Sequence, residues 1–325
     1  MSHTLVRAHG ITVEVDVPVP GWRSAESSGS DVWRTTVAID SPAMQLGHQP
    51  APGRVTWHWD DTSWPDRVSV ELHGGSAPGS IRFVVDRVAR RIDVDGTGAV
   101  NLDGCLELLG KWILPDLARH DLGAVPLHST AVLTNVGALV VAGESGHGKS
   151  SLTAALCSAG ALLIADEPTC IVPSASGSVV LPGIGVLRLA PEAAGRLAAD
   201  HGDRWVDVSG GGDDAGKLLL VDTTADGAMH DRPGPVVAAI VVLGARRPDG
   251  PTITIERLTP EAAFRALFGQ RYTRILEERN VRRDFDVLAR LVASTTVLSV
   301  GLVDDLGELP GAAHRLLAEV VDIGR

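Results

Sequence analysis

Polar and apolar positions alternate through the first hundred residues. Thr12-Val13-Glu14-Val15-Asp16-Val17 steps in and out with a period of two, as a strand with one buried face does. Runs at 33–39, 55–59, 68–72 and 81–85 continue the pattern, and clusters of Gly, Pro, Ser and Asp separate them. Arg91-Ile92-Asp93-Val94-Asp95-Gly96 reads as the return strand of a hairpin. Trp57 and Trp59 are two apart and share one strand face, read as a core face rather than a stacking platform. These runs make residues 1–104 a β-rich N-terminal region.

The period then changes. From 102 to 120, Leu106, Leu109, Ile113 and Leu117 recur every three or four positions, predicting an amphipathic helix that Pro115 kinks or restarts. The domain boundary is placed here, with a second domain over 105–325. Residues 125–134 and 138–142 predict two strands joined as a hairpin at Asn135-Val136-Gly137. The segment 151–157 has helical spacing, and Gly160 stops it. A buried strand follows at 161–165. Beyond it come an extended stretch at 179–189, a helix at 191–199 and a Gly/Asp-rich loop at 209–216. Strands at 218–221, 236–243, 252–255 and 296–303 alternate with helices at 260–268, 281–291 and 310–321, the last with Pro310 in its first turn. The fold class is α/β.

Composition narrows the setting. At 325 residues the chain accommodates two domains, and 44% hydrophobic with 21% charged residues is ordinary for a soluble globular protein. A net charge of −11 argues against nonspecific nucleic-acid binding. No apolar run reaches membrane-spanning length, and the first residues open no signal-peptide pattern, so a cytoplasmic location is expected. Cys105, Cys157 and Cys170 are odd in number and scattered, which suggests neither a disulfide framework nor a zinc site. Lys111, Lys149 and Lys217 are the only lysines in an arginine-rich background. A lysine kept against that bias suits a need for compact charge, which makes Lys217 a candidate.

The chemistry centres on Gly143-Glu144-Ser145-Gly146-His147-Gly148-Lys149-Ser150, which fits G-x-x-x-x-G-K-[ST] between a strand and a helix. Glycines let backbone N–H groups converge on one point, and the helix N-terminus adds positive potential. Lys149 would face the β- and γ-phosphates of ATP, Ser150 would offer a hydroxyl to Mg²⁺, and Ser151 continues the binding turn. About seventeen residues on, Asp166-Glu167 end a strand, where ligands bind in open α/β sheets. One acid would serve the metal and the other the proton, and the residues alone do not say which. Asp166-Glu167-Pro168-Thr169 and Ser209-Gly210-Gly211 copy pieces of transporter ATPases, but in the reversed order, so that reading is set aside.

The combination resembles a known family. Leu127-His128-Ser129-Thr130, the glycine loop and Ile164-Ala165-Asp166-Glu167 together look like the bacterial HPr kinase/phosphorylases and their relatives that lack the regulatory domain. The resemblance spans about 127–189 and implies a P-loop core of the HPr kinase/PEP carboxykinase type, a mixed sheet with flanking helices. It implies ATP- and Mg²⁺-dependent phosphorylation of a seryl hydroxyl of a peptide or protein. Some relatives look like kinases of ribosomal peptides, including lasso-peptide precursors. By position, Asp166 resembles the base, Glu167 with Ser150 the metal ligands, and His128 the histidine near the transferred group. The resemblance also suggests association into a homo-oligomer; the charge and the absence of a long apolar run argue against nucleic-acid and membrane partners. Two departures stand out: Glu167 replaces an aspartate, and Val180-Leu181-Pro182-Gly183-Ile184-Gly185 lacks the Glu and Arg of the family signature.

Lys217 is expected to clamp the γ-phosphate. Arg271, Arg274, Arg279, Arg282 and Arg283, with Glu277 and Glu278, read as a solvated helix face. A nucleotide-binding regulator without transfer activity and an unrelated small-molecule kinase are the alternative readings.

Overall fold

The alternating N-terminal run becomes part of an eight-stranded sheet in the computed structural model. The structure describes residues 4–15, 23–24, 32–40, 52–59, 67–74, 79–98, 102–175, 177–197, 205–207, 218–222, 234–272 and 277–323. β1 (Thr4–Ala8) and β2 (Ile11–Val15) pair antiparallel, β3 (Arg23–Ser24) borders β1, and β4 (Val32–Asp40) runs parallel to β2. β5 (Pro52–Trp59), β6 (Arg67–Gly74), β7 (Gly79–Asp86) and β8 (Arg91–Gly98) follow as antiparallel neighbours. β8 lies parallel to β4 and completes the order β3-β1-β2-β4-β8-β7-β6-β5. β1 and β3 were not among the predicted strands.

A helical run covers the apolar face of this sheet. It consists of α1 (Leu102–Leu108), a π turn (Leu109–Ile113), α2 (Leu114–Leu117) and a second π turn (Ala118–Leu122). Leu106, Leu109, Ile113 and Leu117 form its buried stripe, as their spacing predicts, against Trp33, Phe83 and Ile92. In the π register the N–H of residue 115 would reach the carbonyl of Gly110, and proline has no N–H to give. His9 supplies that donor from the β1–β2 turn, with Nε2 3.1 Å from Gly110 O. Burial lowers the His9 pKa to about 4 against the raising effect of this bond, so the ring is neutral at pH 7.

The second sheet is mixed. β9 (Val125–Leu127) is followed by β10 (Ser129–Thr134), β11 (Gly137–Gly143), α3 (Lys149–Ser158) and β12 (Leu162–Ala165). β13 (Thr169–Ser174), β14 (Gly177–Leu181), β15 (Val186–Leu189), α4 (Pro191–Leu197), β16 (Trp205–Asp207) and β17 (Leu218–Asp222) come next. β18 (Val237–Leu243), β19 (Ile253–Arg257), α5 (Pro260–Gly269), α6 (Glu277–Ser294), β20 (Thr296–Leu302) and α7 (Leu309–Ile323) complete the chain. The sheet order is β12-β10-β11-β18-β20-β19, parallel at β11–β18 and β18–β20 and antiparallel elsewhere.

Both faces of this sheet are covered, which is why its strands read as unbroken apolar runs. Leu139 and Val141 of β11 pack with Leu152 and Leu156 of α3 and Leu316 of α7. Ala138, Val140 and Ala142 face Leu267 of α5 and Leu288 and Leu291 of α6. Two three-stranded sheets, β14-β13-β9 and β15-β17-β16, stand beside it. The protein is thus a mixed α/β protein with several sheets and flanking helices.

Several expectations need correction. The stretch 179–189 is not one extended element, because residues 182–185 interrupt it between β14 and β15. β13 and β16 were not predicted; β13 starts directly after Pro168, which reads as a break. The basic cluster is not one solvated face. Arg271 lies over the Phe268 ring at 3.9 Å and reaches Asp284 at 3.7 Å, and the Arg283 side chain is half-buried. Lys217, residues 209–216, Arg274, and the side chains of Trp57, Trp59 and Arg279 lie outside the described residues. Among those described, no helix is long and apolar enough to cross a membrane.

Candidate functional site

The site begins where β11 turns into α3. Gly146 and Gly148 take φ of 87° and 92°, the left-handed region that glycine tolerates best. His147 Nδ1 lies 3.1 Å from Leu243 O and ties the turn to the end of β18. A Cβ on Gly148 would come within 2.6 Å of the Arg246 guanidinium, so that cation rests directly on the turn. Arg246 also donates to Asp304 Oδ1 at 2.8 Å. Glu144, Ser145 and Gly146 are exposed, whereas Ser150 and Ser151 are half-buried in the first turn of α3.

Lys149 is only 6% exposed. Its ammonium donates to the carbonyls of its own turn, Gly143 O at 2.9 Å and Glu144 O at 3.3 Å. A third contact, at 3.2 Å, is His128 Nε2. His128 stands between β9 and β10, where its N–H donates to Gln270 O at 2.7 Å. The same Nε2 is 2.8 Å from Glu167 Oε1. One ring nitrogen therefore faces an ammonium and a carboxylate. It either carries a proton and donates to Glu167, or is bare and accepts from Lys149. Desolvation opposes the Glu167 carboxylate, but the His128 bond and charge, then Lys149 and Lys111, outweigh it and lower the pKa to about 2.

Asp166 follows the last residue of β12, so the strand has ended and the pleat no longer dictates where the two acids point. Its N–H reaches Ile184 O at 3.4 Å. Oδ2 accepts from the backbone N–H of Arg188 at 3.2 Å, while the buried Oδ1 has no hydrogen-bond partner among the described residues. Burial raises the Asp166 pKa to about 6; the Lys111 charge and the Arg188 contacts work against that rise, and Glu167 adds to it. Gly183 packs against this corner, and a Cβ there would meet Ala165 Cβ at 2.8 Å and His9 Cε1 at 2.9 Å. The turn between β1 and β2 therefore reaches the 182–183 corner that packs on Ala165.

Beyond Asp166 lies a second charged group. On β15, Leu187 and Leu189 point into the core of the mixed sheet, and Arg188 points the other way. Its guanidinium pairs with Glu107 Oε1 on α1, which also holds Lys111 Nζ at 2.6 Å.

The residues singled out in the sequence fall into three sets. Lys149, His128 and Glu167 are in direct contact, and Asp166 adjoins Glu167. Ser150 and Ser151 lie at the helix start, and the glycines shape the turn before it. Lys217 is outside the described residues. Sequence reasoning missed Glu107, Lys111, Arg188 and Arg246. A signal existed for one of them, because the scarcity of lysine that pointed to Lys217 applied equally to Lys111.

No protein-family model matches the chain. No curated protein matches it either. Among solved structures, the HPr(Ser) kinase/phosphatase from Coxiella burnetii is similar at 13% identity, over 60% of this chain and 98% of that chain, with a TM-score of 0.27. That likeness is distant, and the functional reading rests on the residues of the site.

Proposed function

We propose that the chain is an ATP- and Mg²⁺-dependent kinase with a P-loop core, transferring the γ-phosphoryl group to a seryl or threonyl hydroxyl of a peptide or protein. A ribosomal-peptide precursor is one acceptor of that kind. The observation that carries the reading is the row Lys149, His128, Glu167, Asp166, which runs from an ammonium in a glycine turn to a carboxylate oxygen without a hydrogen-bond partner among the described residues. Phosphoryl transfer asks a protein for charge neutralisation and alignment more than for covalent chemistry.

The residues suit the nucleotide and its metal. Lys149 now bonds carbonyls of its own turn, neutral acceptors that a phosphate oxygen replaces with gain. The turn amides of 144–150 would line the phosphates. Ser150 and Glu167 are oxygen donors, and one or two protein oxygens beside phosphate is the usual protein share of a Mg²⁺ shell. Mg²⁺–ATP, when bound, supplies the phosphoryl group and the divalent charge that neutralises it.

The two acids divide the work by environment. Glu167, with its pKa lowered to about 2, stays anionic and suits the metal. Asp166, raised to about 6, is ionised at pH 7 yet more basic than an ordinary carboxylate, which suits it to take the hydroxyl proton once the acceptor reaches it. His128 holds Glu167 in place and passes its position on to Lys149. One observation favours a regulator that binds nucleotide without transfer: the His128 bond already engages the carboxylate that the metal needs.

Incubation with γ-labelled ATP, Mg²⁺ and a seryl peptide library separates the two readings. The kinase predicts label on peptide, lost in Lys149→Ala and Asp166→Asn. Tight ATP binding with no transfer to any hydroxyl supports the regulator and removes the kinase.

A further inference from the structure

We infer that Arg119 is a positioning residue for His128, acting through the backbone of residues 270–272, an inference that rests on the kinase reading. Arg119 lies in the second π turn and is only 1% exposed. Its guanidinium is used on three sides. Nη1 donates to Asp116 Oδ1 of α2 at 2.8 Å, Nε to Asp284 Oδ1 of α6 at 3.2 Å, and Nη2 to the carbonyl of Tyr272 at 3.0 Å. One planar group thus ties together the helical run, α6 and the segment after α5.

The segment held by Nη2 also holds the strand that carries His128. The Tyr272 N–H donates to Pro126 O at 2.9 Å, Arg271 bridges antiparallel to Leu127, and Gln270 O accepts the His128 N–H at 2.7 Å. Leu127 is also paired with Thr169 of β13, so residues 270–272 lie on the opposite edge of β9. The β13 register stops at Leu127, one residue short of His128, and the His128 amide is held from the 270 side. The break between β9 and β10 places His128; residues 270–272 keep it there. His128 in turn contacts Lys149 and Glu167, so a shift of this strand would reach both.

The chemistry of the cluster suits direction more than stability. Burial raises the Asp116 pKa to about 7 against the Arg119 charge, and burial raises that of Asp284 as well. A buried ion cluster is often no more stabilising than apolar packing. A guanidinium, however, aims donors along several fixed lines in one plane, which an ammonium on a flexible stem does not. Asp284 adds to the hold from α6, because Arg271 Nη1 lies 3.7 Å from its Oδ2. The helical run that covers the eight-stranded sheet thereby bears on transfer without touching the nucleotide.

The test uses the full chain and compares wild type with Arg119→Lys, Asp284→Asn and Val320→Ala. Val320 is a buried residue of α7, on the far face of the mixed sheet, and controls for lost stability. Hydrogen exchange of the His128 and Tyr272 amides is followed by NMR relative to the amides of β11. In Arg119→Lys both should exchange about tenfold faster on that scale, and in Val320→Ala the ratio should stay at the wild-type value. With labelled ATP and a seryl peptide, Arg119→Lys should lower kcat about tenfold while KM for ATP stays within about twofold. Asp284→Asn is isosteric and should move exchange and kcat in the same direction by less, and it carries the test where Arg119→Lys does not fold. Unchanged exchange, or faster exchange with wild-type kcat, overturns the inference and leaves the kinase standing. Wild-type protein that binds ATP and labels no peptide removes the kinase reading and the positioning role with it.

Discussion

The two ends of the acid pair are built differently. At one end, Lys149, His128 and Glu167 come from a stretch of 40 residues, and each follows directly from a strand end or a helix start. At the other, Asp166, Arg188, Lys111 and Glu107 come from three separate parts of the chain, joined by a pair that spans 81 residues. The first end is set by local backbone geometry. The second exists only because the helical run packs on the N-terminal sheet and β15 turns Arg188 toward it. A glycine turn with its lysine is carried by one strand–turn–helix unit, whereas a cluster of charges from distant segments exists only once those segments pack.

The largest effect is expected at the local end. Lys149→Ala should lower phosphoryl transfer by about a thousandfold, in the range seen when one preorganised charge donor is lost, measured by labelled-ATP assay. His128→Ala should cost about ten- to a hundredfold, as loss of an orienting partner does. The readout is a higher Mg²⁺ concentration for half-maximal activity, because the contact that positions Glu167 is gone.

At the assembled end the effect is expected in the pH profile. Asp166 must be ionised to take a proton, so activity should fall as pH drops through about 6. Lys111→Ala removes the charge that lowers the Asp166 pKa, so the acid limb should move to higher pH. An unmoved limb would separate Lys111 from Asp166.

The smallest effect is on stability. His9→Ala leaves Gly110 O without its donor, at a cost of about 1–3 kcal/mol in denaturant unfolding. The His9 pKa is lower folded than unfolded, so its contribution is present above the ordinary value of 6.5 and lost as pH falls toward about 4. The difference between the wild-type and His9→Ala stability curves should therefore shrink on acidification across that window.

How much of this was legible follows the same division. The turn at 143–150 and the acids 166–167 were readable because their spacing along one strand–turn–helix unit is the geometry itself, whereas His128 was singled out only through the family resemblance. The stripe of Leu106, Leu109, Ile113 and Leu117 showed that a helix would bury one face. It could not show which sheet that face meets, nor that Lys111 would then lie near enough to Asp166 to lower its pKa. Arg188 looked like a charge interrupting an apolar run, and its partner is 81 residues away. Pro115 was read as a kink, but the donor that replaces its missing N–H, His9, lies on a distant turn. Arg271 misled in the opposite way: a charge-rich segment suggests solvent, while Phe268 and Asp284 draw this side chain inward. Pairing across long sequence separation leaves little trace in local periodicity.

In the proposed kinase, Asp166 takes the hydroxyl proton next to a phosphate held at Lys149. Single-turnover transfer from labelled ATP to a seryl peptide, wild type against Asp166→Asn, is the test. The substitution is isosteric, and a carboxyl whose pKa is raised by burial loses no stability on becoming neutral, so folding should be kept. Transfer should slow by about a hundredfold or more with ATP affinity unchanged. Equal rates in the two proteins would contradict it.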